Sequence, residues 1–481
     1  MIEKYYNGVI EQVAGGIGNV EHNSILVRYS NDFSIWDLES VNHYKDQTDI
    51  FFTCHEFSYN KIAEAYEPYL GLIRQMFHKY CSGTLEEFME ECDVYKLQRP
   101  VFESYFEKGF CERTEQILID EVEYEQERMR NSIVTMLQKL SEIRPVVIVL
   151  NRFQLASKST MQLSNSLLQV KNKNIGIVLG VNDVQSIPEF AHEEWDAICE
   201  SMDDRNMVYH IGNAGRNMEP DVMDYYSDYE SDDGYRKLNN LVYFLDFDQA
   251  NHHLSKIERR IKFDNFTISE KKHYQLLLLQ IMVSVLQRDI AKALESCEDL
   301  EKLQDQEKEG AFYYNFWMAT SYMYLGKLEE AMIYVQKAKE CGEALGDDFL
   351  VFRAELLKAQ NQMSGWCNIF FCAQDIEISD KLIEKLNAYH YKNHLAHIYI
   401  YAYDNKPEIV AKAYRSEAFL IYFSKGVALA KEIGNEQLIS IAYRKNIMIA
   451  STNGEYEVSL LYSIRTYEAM KDVDSVEGGR I

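Results

Sequence analysis

Five consecutive apolar residues, Val146, Val147, Ile148, Val149 and Leu150, stand between Pro145 and a polar tip at Asn151. A run this short, uniformly apolar and mostly β-branched predicts a strand buried on both faces. Such a strand needs parallel neighbours, because crossover helices then cover both sides of the sheet. The run therefore commits the surrounding chain to a layered α/β arrangement. Residues 24–29, 49–54 and 174–180 are further apolar strands, and 207–211 is a weaker one. Helical spacing separates them. After Pro68, which suits a first helical turn, Leu70, Ile73, Met76, Phe77 and Tyr80 share one face. Met129, Ile133, Met136, Leu137, Leu140 and Ile143 mark a second helix. Ser157 or Ser159 can cap a third, with Met161, Leu163, Leu167 and Leu168 inward. Strands alternating with helices predict a parallel three-layer sheet domain over residues 1–215.

The pattern changes after residue 215. Residues 216–237 are acidic and turn-rich, and are expected to form a linker or a long surface loop. From 238 to 481 no strand pattern recurs and helices follow one another at short spacing. The clearest unit is 312–339. Met318, Ala319 and Tyr322 run large-small-aromatic on one helix, Gly326 marks a turn, and Leu328, Ala331, Val335 and Ala338 line the next helix. This matches the tetratricopeptide (TPR) pattern, in which small residues stand where two helices cross and bulky ones where repeats stack. Gly346 and Gly434 lie 88 residues apart, or two units of 44, and Gly326, Gly346, Gly365, Gly434 and Gly454 recur at helix-length intervals. The expected fold class is α/β followed by all-α, the second part being a TPR-like α-solenoid.

Charge and chemistry narrow the function classes. The net charge of −26 argues against binding nucleic acid or anionic membranes through a general basic surface. Nine scattered cysteines with no C-x-x-C pair read as reduced thiols, and the N-terminus lacks the apolar core of a signal peptide. The longest apolar run, 276–285, is too short to span a bilayer. A cytoplasmic protein is expected. No G-x-S-x-G or H-E-x-x-H motif occurs. Cys54-His55 reads as structural, and the adjacent His252 and His253 cannot share a helix face as metal ligands would. No metal or cofactor site is expected.

The chain resembles the STAND signal-transduction ATPases, in which an AAA-like nucleotide-binding domain precedes tetratricopeptide-like repeats. Three stretches carry the resemblance. Residues 65–70, Ala-Tyr-Glu-Pro-Tyr-Leu, look like that family's entry into a helix after its second strand. Residues 144–156 look like its strand with the magnesium-holding Asp, and Gln154 matches a family Gln. Residues 174–183 look like the strand bearing the nucleotide-sensing polar residue, which places Asn182 or Asp183 there. The departures concern the chemistry. The phosphate-binding loop should follow 24–28, yet residues 29–37 contain neither glycine nor lysine. The metal-holding Asp is Asn151. Gly15-Gly16-Ile17-Gly18-Asn19 precedes the strand and lacks Lys-Ser/Thr, so it reads as a turn. Asn151, Gln154 and Asp183 are therefore remnant positions of a degenerate, P-loop-like domain.

The expectation that follows is a non-enzymatic regulatory scaffold, with a pseudo-NTPase domain and repeats whose concave face binds a protein or peptide. The last helix, near 455–471, carries Val458, Leu461, Tyr462, Ile464 and Met470, and this face is expected to be covered by self-association or by a further domain. The alternatives are a nucleotide-binding signalling switch, or the sensor part of a diguanylate cyclase-type (GGDEF) protein. Similar proteins continue into such an output domain, and no G-G-[DE]-E-F motif stands in this sequence.

Overall fold

The computed structural model describes residues 2–19, 23–30, 34–45, 49–58, 61–113, 115–170, 172–182, 187–205, 207–211, 229, 231–263, 267–364, 380–401, 417–452 and 454–470. The chain divides into two compact units. The first comprises Met1–Val94, Gln98–Glu112 and Gln126–Phe266; the second comprises Tyr95–Leu97, Arg113–Glu125 and Thr267–Ile481.

The first unit is built on five parallel strands: β1 (Asn23–Tyr29), β2 (Phe51–Glu56), β3 (Val146–Asn151), β4 (Ile175–Asn182) and β5 (Val208–Ile211). Their order across the sheet is β2-β3-β4-β1-β5. Every residue of β3 and β4 is buried, as an apolar run without alternation demands. Along β2 every residue is half-buried, because β2 is an edge strand. The helices of this unit are α1 (Ile2–Gly16), α2 (Glu39–Lys45), α3 (Tyr69–Tyr80), α4 (Leu85–Glu91), α5 (Arg99–Lys108), α6 (Val122–Ile143, whose first residues fall in the second unit), α7 (Lys158–Gln169), α8 (His192–Asp203), α9 (Asp232–Tyr243) and α10 (Phe247–Phe263). On one sheet face Tyr6, Ile10 and Val13 of α1 pack with Ile25, Val27, Val147, Val149 and Val178. Ser157 caps α7 by accepting from the N–H of Thr160 at 3.1 Å.

The second unit is helical throughout its described part: α11 (Glu270–Leu286), α12 (Ile290–Lys302), α13 (Gly310–Tyr324), α14 (Leu328–Leu345), α15 (Asp348–Ser364), α16 (Asp380–Ala388), α17 (Lys392–Tyr401), α18 (Glu417–Ile433), α19 (Glu436–Thr452) and α20 (Tyr456–Met470). One turn recurs between them. Gly326, Gly346, Gly434 and Gly454 hold φ of +72°, +66°, +77° and +75°. After each, the next N–H reaches back to the carbonyl five residues before it, as in Lys327 to Tyr322 at 3.0 Å and Asn435 to Ala430 at 2.9 Å. This is the Schellman closure, which satisfies otherwise orphaned helix carbonyls. Arg288 and His390 make the same turn at φ +64° and +61°, closed by Asp289 to Ser284 and Tyr391 to Leu386, both at 2.8 Å. His390 stands midway between Gly346 and Gly434, so the 44-residue interval is occupied by a turn that carries no glycine. Gly365 lies outside the described residues.

Three expectations change. The glycine cluster at 15–19 is not wholly a turn: α1 runs through Gly16, and only residues 17–19 turn. The 216–237 linker lies outside the described residues up to 228; its last residues, 232–237, are the first half of α9, capped by the hydroxyl of Ser231, which accepts from Gly234 at 2.8 Å. The units do not divide at 237/238. Helices α9 and α10 belong with the sheet, and polar side chains are the reason. Asn240 bridges the N–H of Cys111 and the carbonyl of Gly109, Asn239 donates to the carbonyl of Cys111, Arg236 pairs with Glu64 at 2.7 Å, and Gln249 donates to the carbonyl of Ala63. Conversely, residues 113–125 belong to the helical unit.

Candidate functional site

Parallel sheets of this kind offer ligand sites at the carboxyl ends of their strands. Here four adjacent strand tips carry polar side chains: Glu56 on β2, Asn151 on β3, Asn182 on β4 and Tyr29 on β1. Pairing sets Glu56 opposite Asn151 and Tyr29 opposite Asn182.

Asn151 is fully buried. Its Oδ1 accepts from the Tyr29 hydroxyl at 2.7 Å, and its Nδ2 donates to Glu56 Oε1 at 3.4 Å. Glu56 is engaged further: Arg152 Nη1 lies 3.3 Å from Oε1, and the Ser34 hydroxyl donates to Oε2 at 3.2 Å. Arg152 adopts a left-handed φ of +54° as the chain leaves β3. The fully buried Gln154 follows in a short 3₁₀ turn and accepts from the N–H of Asn182 at 3.3 Å. Tyr6 of α1 completes the cluster. Burial raises its hydroxyl well above the ordinary range, with Tyr29, Glu56 and Cys54 adding to the rise. A Cβ on Gly180 would overlap the Tyr6 hydroxyl and come within 2.7 Å of Asn151 Oδ1, so only glycine fits beneath this network.

Asn151 and Gln154 thus share one polar cluster at the strand tips. Asp183 lies outside the described residues. The fit to a magnesium–nucleotide pair is poor. Asn151 brings no charge, and both ends of its carboxamide are hydrogen-bonded. The described chain between β1 and α2 is a 3₁₀ turn, Ile35–Asp37, capped by Ser34, and the acidic Asp37 and Glu39 lead into α2. Acidic groups there repel a phosphate rather than hold it.

The neighbouring titratable groups are similarly quiet. Burial pushes the Cys54 thiol up to about 11, so it is no thiolate nucleophile. Burial takes His55 down to about 4, with Glu67 3.5 Å away. Cys54 and His55 are consecutive in β2 and point to opposite faces. His253 is buried against Tyr229, its Nδ1 3.1 Å from the hydroxyl. Among the described residues no group of three His, Cys, Asp or Glu side chains could hold a metal ion.

In the second unit the repeat-signature residues lie together. Met318 and Ala319 of α13 and Ala331, Val335 and Ala338 of α14 are buried in one cluster with Phe312 and Phe316. Tyr322 is half-buried and stacks on Tyr334, 5.6 Å between centroids. Gly326 makes the turn and Leu328 opens α14.

Sequence reasoning missed a second polar cluster. Glu121 is 1% exposed and accepts from Asn393 Nδ2 at 2.6 Å, from Asn435 Nδ2 at 2.9 Å and from His397 Nε2 at 2.9 Å. Burial alone would push its carboxyl up; the charge and hydrogen bond of His397, with Asn435 and Asn393, outweigh this and bring it down to about 2. Beside it Glu115 pairs with His394 Nδ1 at 2.7 Å, and Arg113 with Glu125 at 3.0 Å, all buried. These side chains tie residues 113–125 into the helical unit. No local pattern could reveal pairs some 270 or more residues apart.

No protein-family model matches this chain, and no curated protein matches it. Among solved structures, it is similar over 97% of its length to a Signal Transduction ATPase with Numerous Domains (STAND) protein with a tetratricopeptide repeat sensor from Pyrococcus horikoshii, of which 82% is covered. The two are 13% identical, with a TM-score of 0.40. Likeness at that level assigns neither site nor activity. The class stands on the chain's own architecture: a parallel α/β unit followed by a unit of helical hairpins. No described helix is long and apolar enough to cross a membrane.

Proposed function

We propose that this protein is a non-catalytic regulatory scaffold of the cytoplasm, in which the helical unit binds a protein or peptide and the α/β unit is a nucleotide-binding type of sheet without its chemistry. The observation that supports it most is the strand-tip network. The position that would need a carboxylate for magnesium is a buried carboxamide, held by Tyr29 and Glu56. Phosphoryl transfer depends on positioned phosphates and a metal, and these residues supply neither.

Stacked hairpins create an extended concave surface suited to a partner segment. Half-buried aromatics such as Tyr313 and Tyr314 can serve it, and Arg353 lies over Phe316 at 4.4 Å and Tyr313 at 5.6 Å. The net charge of −26 favours a basic partner segment. Self-association is a second expected contact. Tyr456, Leu460, Ile464 and Tyr467 form an exposed stripe along α20, with Leu461 beside it.

Two measurements on the full chain test this reading. Calorimetric titration with Mg·ATP, Mg·ADP and Mg·GTP should give no binding, and phosphate release should stay at background. Cross-linking in extract of the source cells, read by mass spectrometry, should place partner cross-links on residues 267–470. Nucleotide turnover, or cross-links confined to the sheet unit, would overturn the scaffold reading. Binding without turnover would favour a nucleotide-responsive switch instead, including the sensor part of a larger signalling enzyme.

A further inference from the structure

We infer that the free edge of β2 is a docking site for an extended acidic segment of another protein, which adds to the sheet as a sixth strand. Three observations carry this, all within the α/β unit, and none depends on the scaffold reading above.

First, among the described strands β2 is an edge strand, hydrogen-bonded only to β3. Phe51 and Phe57 donate to Pro145 and Asn151 on the β3 side, at 2.7 and 3.1 Å. Backbone direction alternates along a strand, so the N–H groups of Phe52 and Cys54 point away from β3. An outward row of this kind is a template for another chain.

Second, a groove of about 740 Å³ straddles this edge. Both Phe51 and Phe52 line it, although consecutive strand residues point to opposite faces. Phe51 meets Tyr80 of α3 at 6.1 Å, and Phe52 stacks on Tyr44 of α2 at 5.7 Å. The groove therefore wraps the rim of the strand rather than opening on one face.

Third, cations flank the rim on both sides. Lys45, ending α2, lies on one; Arg74 and Lys79 of α3 lie on the other, and among the described residues no carboxylate lines the groove. Rings hold two of these cations in place. Lys45 sits over Trp36 at 4.4 Å, and Lys79 over Tyr80 at 5.3 Å. Among the described residues no ion pair engages Lys45, Arg74 or Lys79. In a chain of net charge −26, a cluster of this sign is against the general composition. A strand laid on β2 would send alternate side chains to the two faces, and acidic residues would meet Lys45 on one and Arg74 and Lys79 on the other. A second copy of this acidic chain fits poorly; an acidic segment of a different protein fits both the hydrogen bonds and the charge.

The probe is a fluorescein-labelled twelve-residue peptide of alternating Glu-Glu and Val-Thr pairs, titrated with the full chain by anisotropy at low salt. Saturable binding is expected, weakening by about ten-fold or more in the double variant Lys45→Glu/Lys79→Glu, whose positions are exposed and tolerant of change. The same peptide N-methylated at alternate backbone nitrogens should lose about ten-fold or more, since strand addition needs main-chain hydrogen bonds. Absence of binding would mean that the lysines only guard the edge against pairing, and would overturn the proposal. So would equal binding of the double variant or of the N-methylated peptide. Displacement of the native peptide by tripolyphosphate, together with indifference to N-methylation, would assign a simple anion pocket and reject the strand.

Discussion

Replacing Glu121 by alanine should destabilise the helical unit, because three donors lose this acceptor at once. Asn393 Nδ2, Asn435 Nδ2 and His397 Nε2 all point at this carboxylate, and Glu121 itself is 1% exposed. Each orphaned donor costs about 1–3 kcal/mol, and breaking one side of a buried charged cluster typically costs about 3–5 kcal/mol in total. For a unit of this size that corresponds to a fall of about 6–20 °C in its melting transition. Glu121→Gln should cost less, about 1–3 kcal/mol, because one oxygen can still serve His397 and Asn435 and only the bond from Asn393, whose amide donor then meets another donor, is lost. The wild-type contribution also depends on pH. The carboxyl is near 2 in the folded unit and has an ordinary value of 4.5. The unfolded chain therefore takes up the proton first as pH falls. The stabilisation, about 3 kcal/mol at 1.36 kcal/mol per pKa unit, is present above pH 4.5 and is lost as pH drops toward 2. Differential scanning calorimetry of the full chain gives the transition, and hydrogen exchange over residues 380–401 assigns it to the helical unit. A Glu121→Ala protein melting within about 2 °C of the parent, with unchanged exchange there, would refute the reasoning.

The sheet unit should show the opposite pH dependence. Burial raises Asp246 to about 6 from 3.8, so the unfolded chain ionises first, and stability should fall by about 3 kcal/mol as pH rises from 4 to 6; Asp246→Asn should remove this fall in urea titrations at several pH values. Asn151→Asp would set a second carboxylate beside Glu56; it should lower stability by about 3–5 kcal/mol without creating magnesium-dependent nucleotide binding, which calorimetry would detect. Ala331 is fully buried in the cluster that joins α13 and α14, so Ala331→Leu should overpack by about 1–3 kcal/mol, read from the denaturation midpoint. Leu461→Glu/Ile464→Glu breaks the exposed stripe of α20 and should lower the apparent mass in light scattering over a concentration series, if that face holds copies together.

The two polar clusters differ in how far a reader of residues alone could reach them. Asn151 announces itself, because a polar residue at the tip of a wholly apolar strand sits at the end of a local pattern. Gln154 lies three residues on and is marked only by the resemblance to the family strand. Their partners, Tyr29 and Glu56, are ordinary strand-end residues until the sheet order brings them alongside. Glu121 is one acid among several in an acidic stretch, and its asparagine and histidine partners stand far along the chain, Asn393 and His397 on α17 and Asn435 just before α19. The turns show the same limit. Gly326, Gly346, Gly434 and Gly454 can be read because glycine relieves the strain of positive φ, whereas Arg288 and His390 adopt it with a Cβ and leave no mark.

What local composition determined is the class of each half: an apolar β-branched run calls for burial on both faces, as a covered parallel sheet provides, and small-large spacing at helix period fits the crossings of stacked helices. Those are consequences of which atoms leave water, and they act within a few residues. The tertiary structure decided where the units divide, and why. Asn239, Asn240 and Gln249 hold α9 and α10 to the sheet unit, and Glu115 and Glu121 hold residues 113–125 in the helical unit, through hydrogen bonds whose partners are distant in sequence. A polar side chain carries no record of its partner. Only the folded geometry supplies one, and burial then makes leaving it unpaired costly.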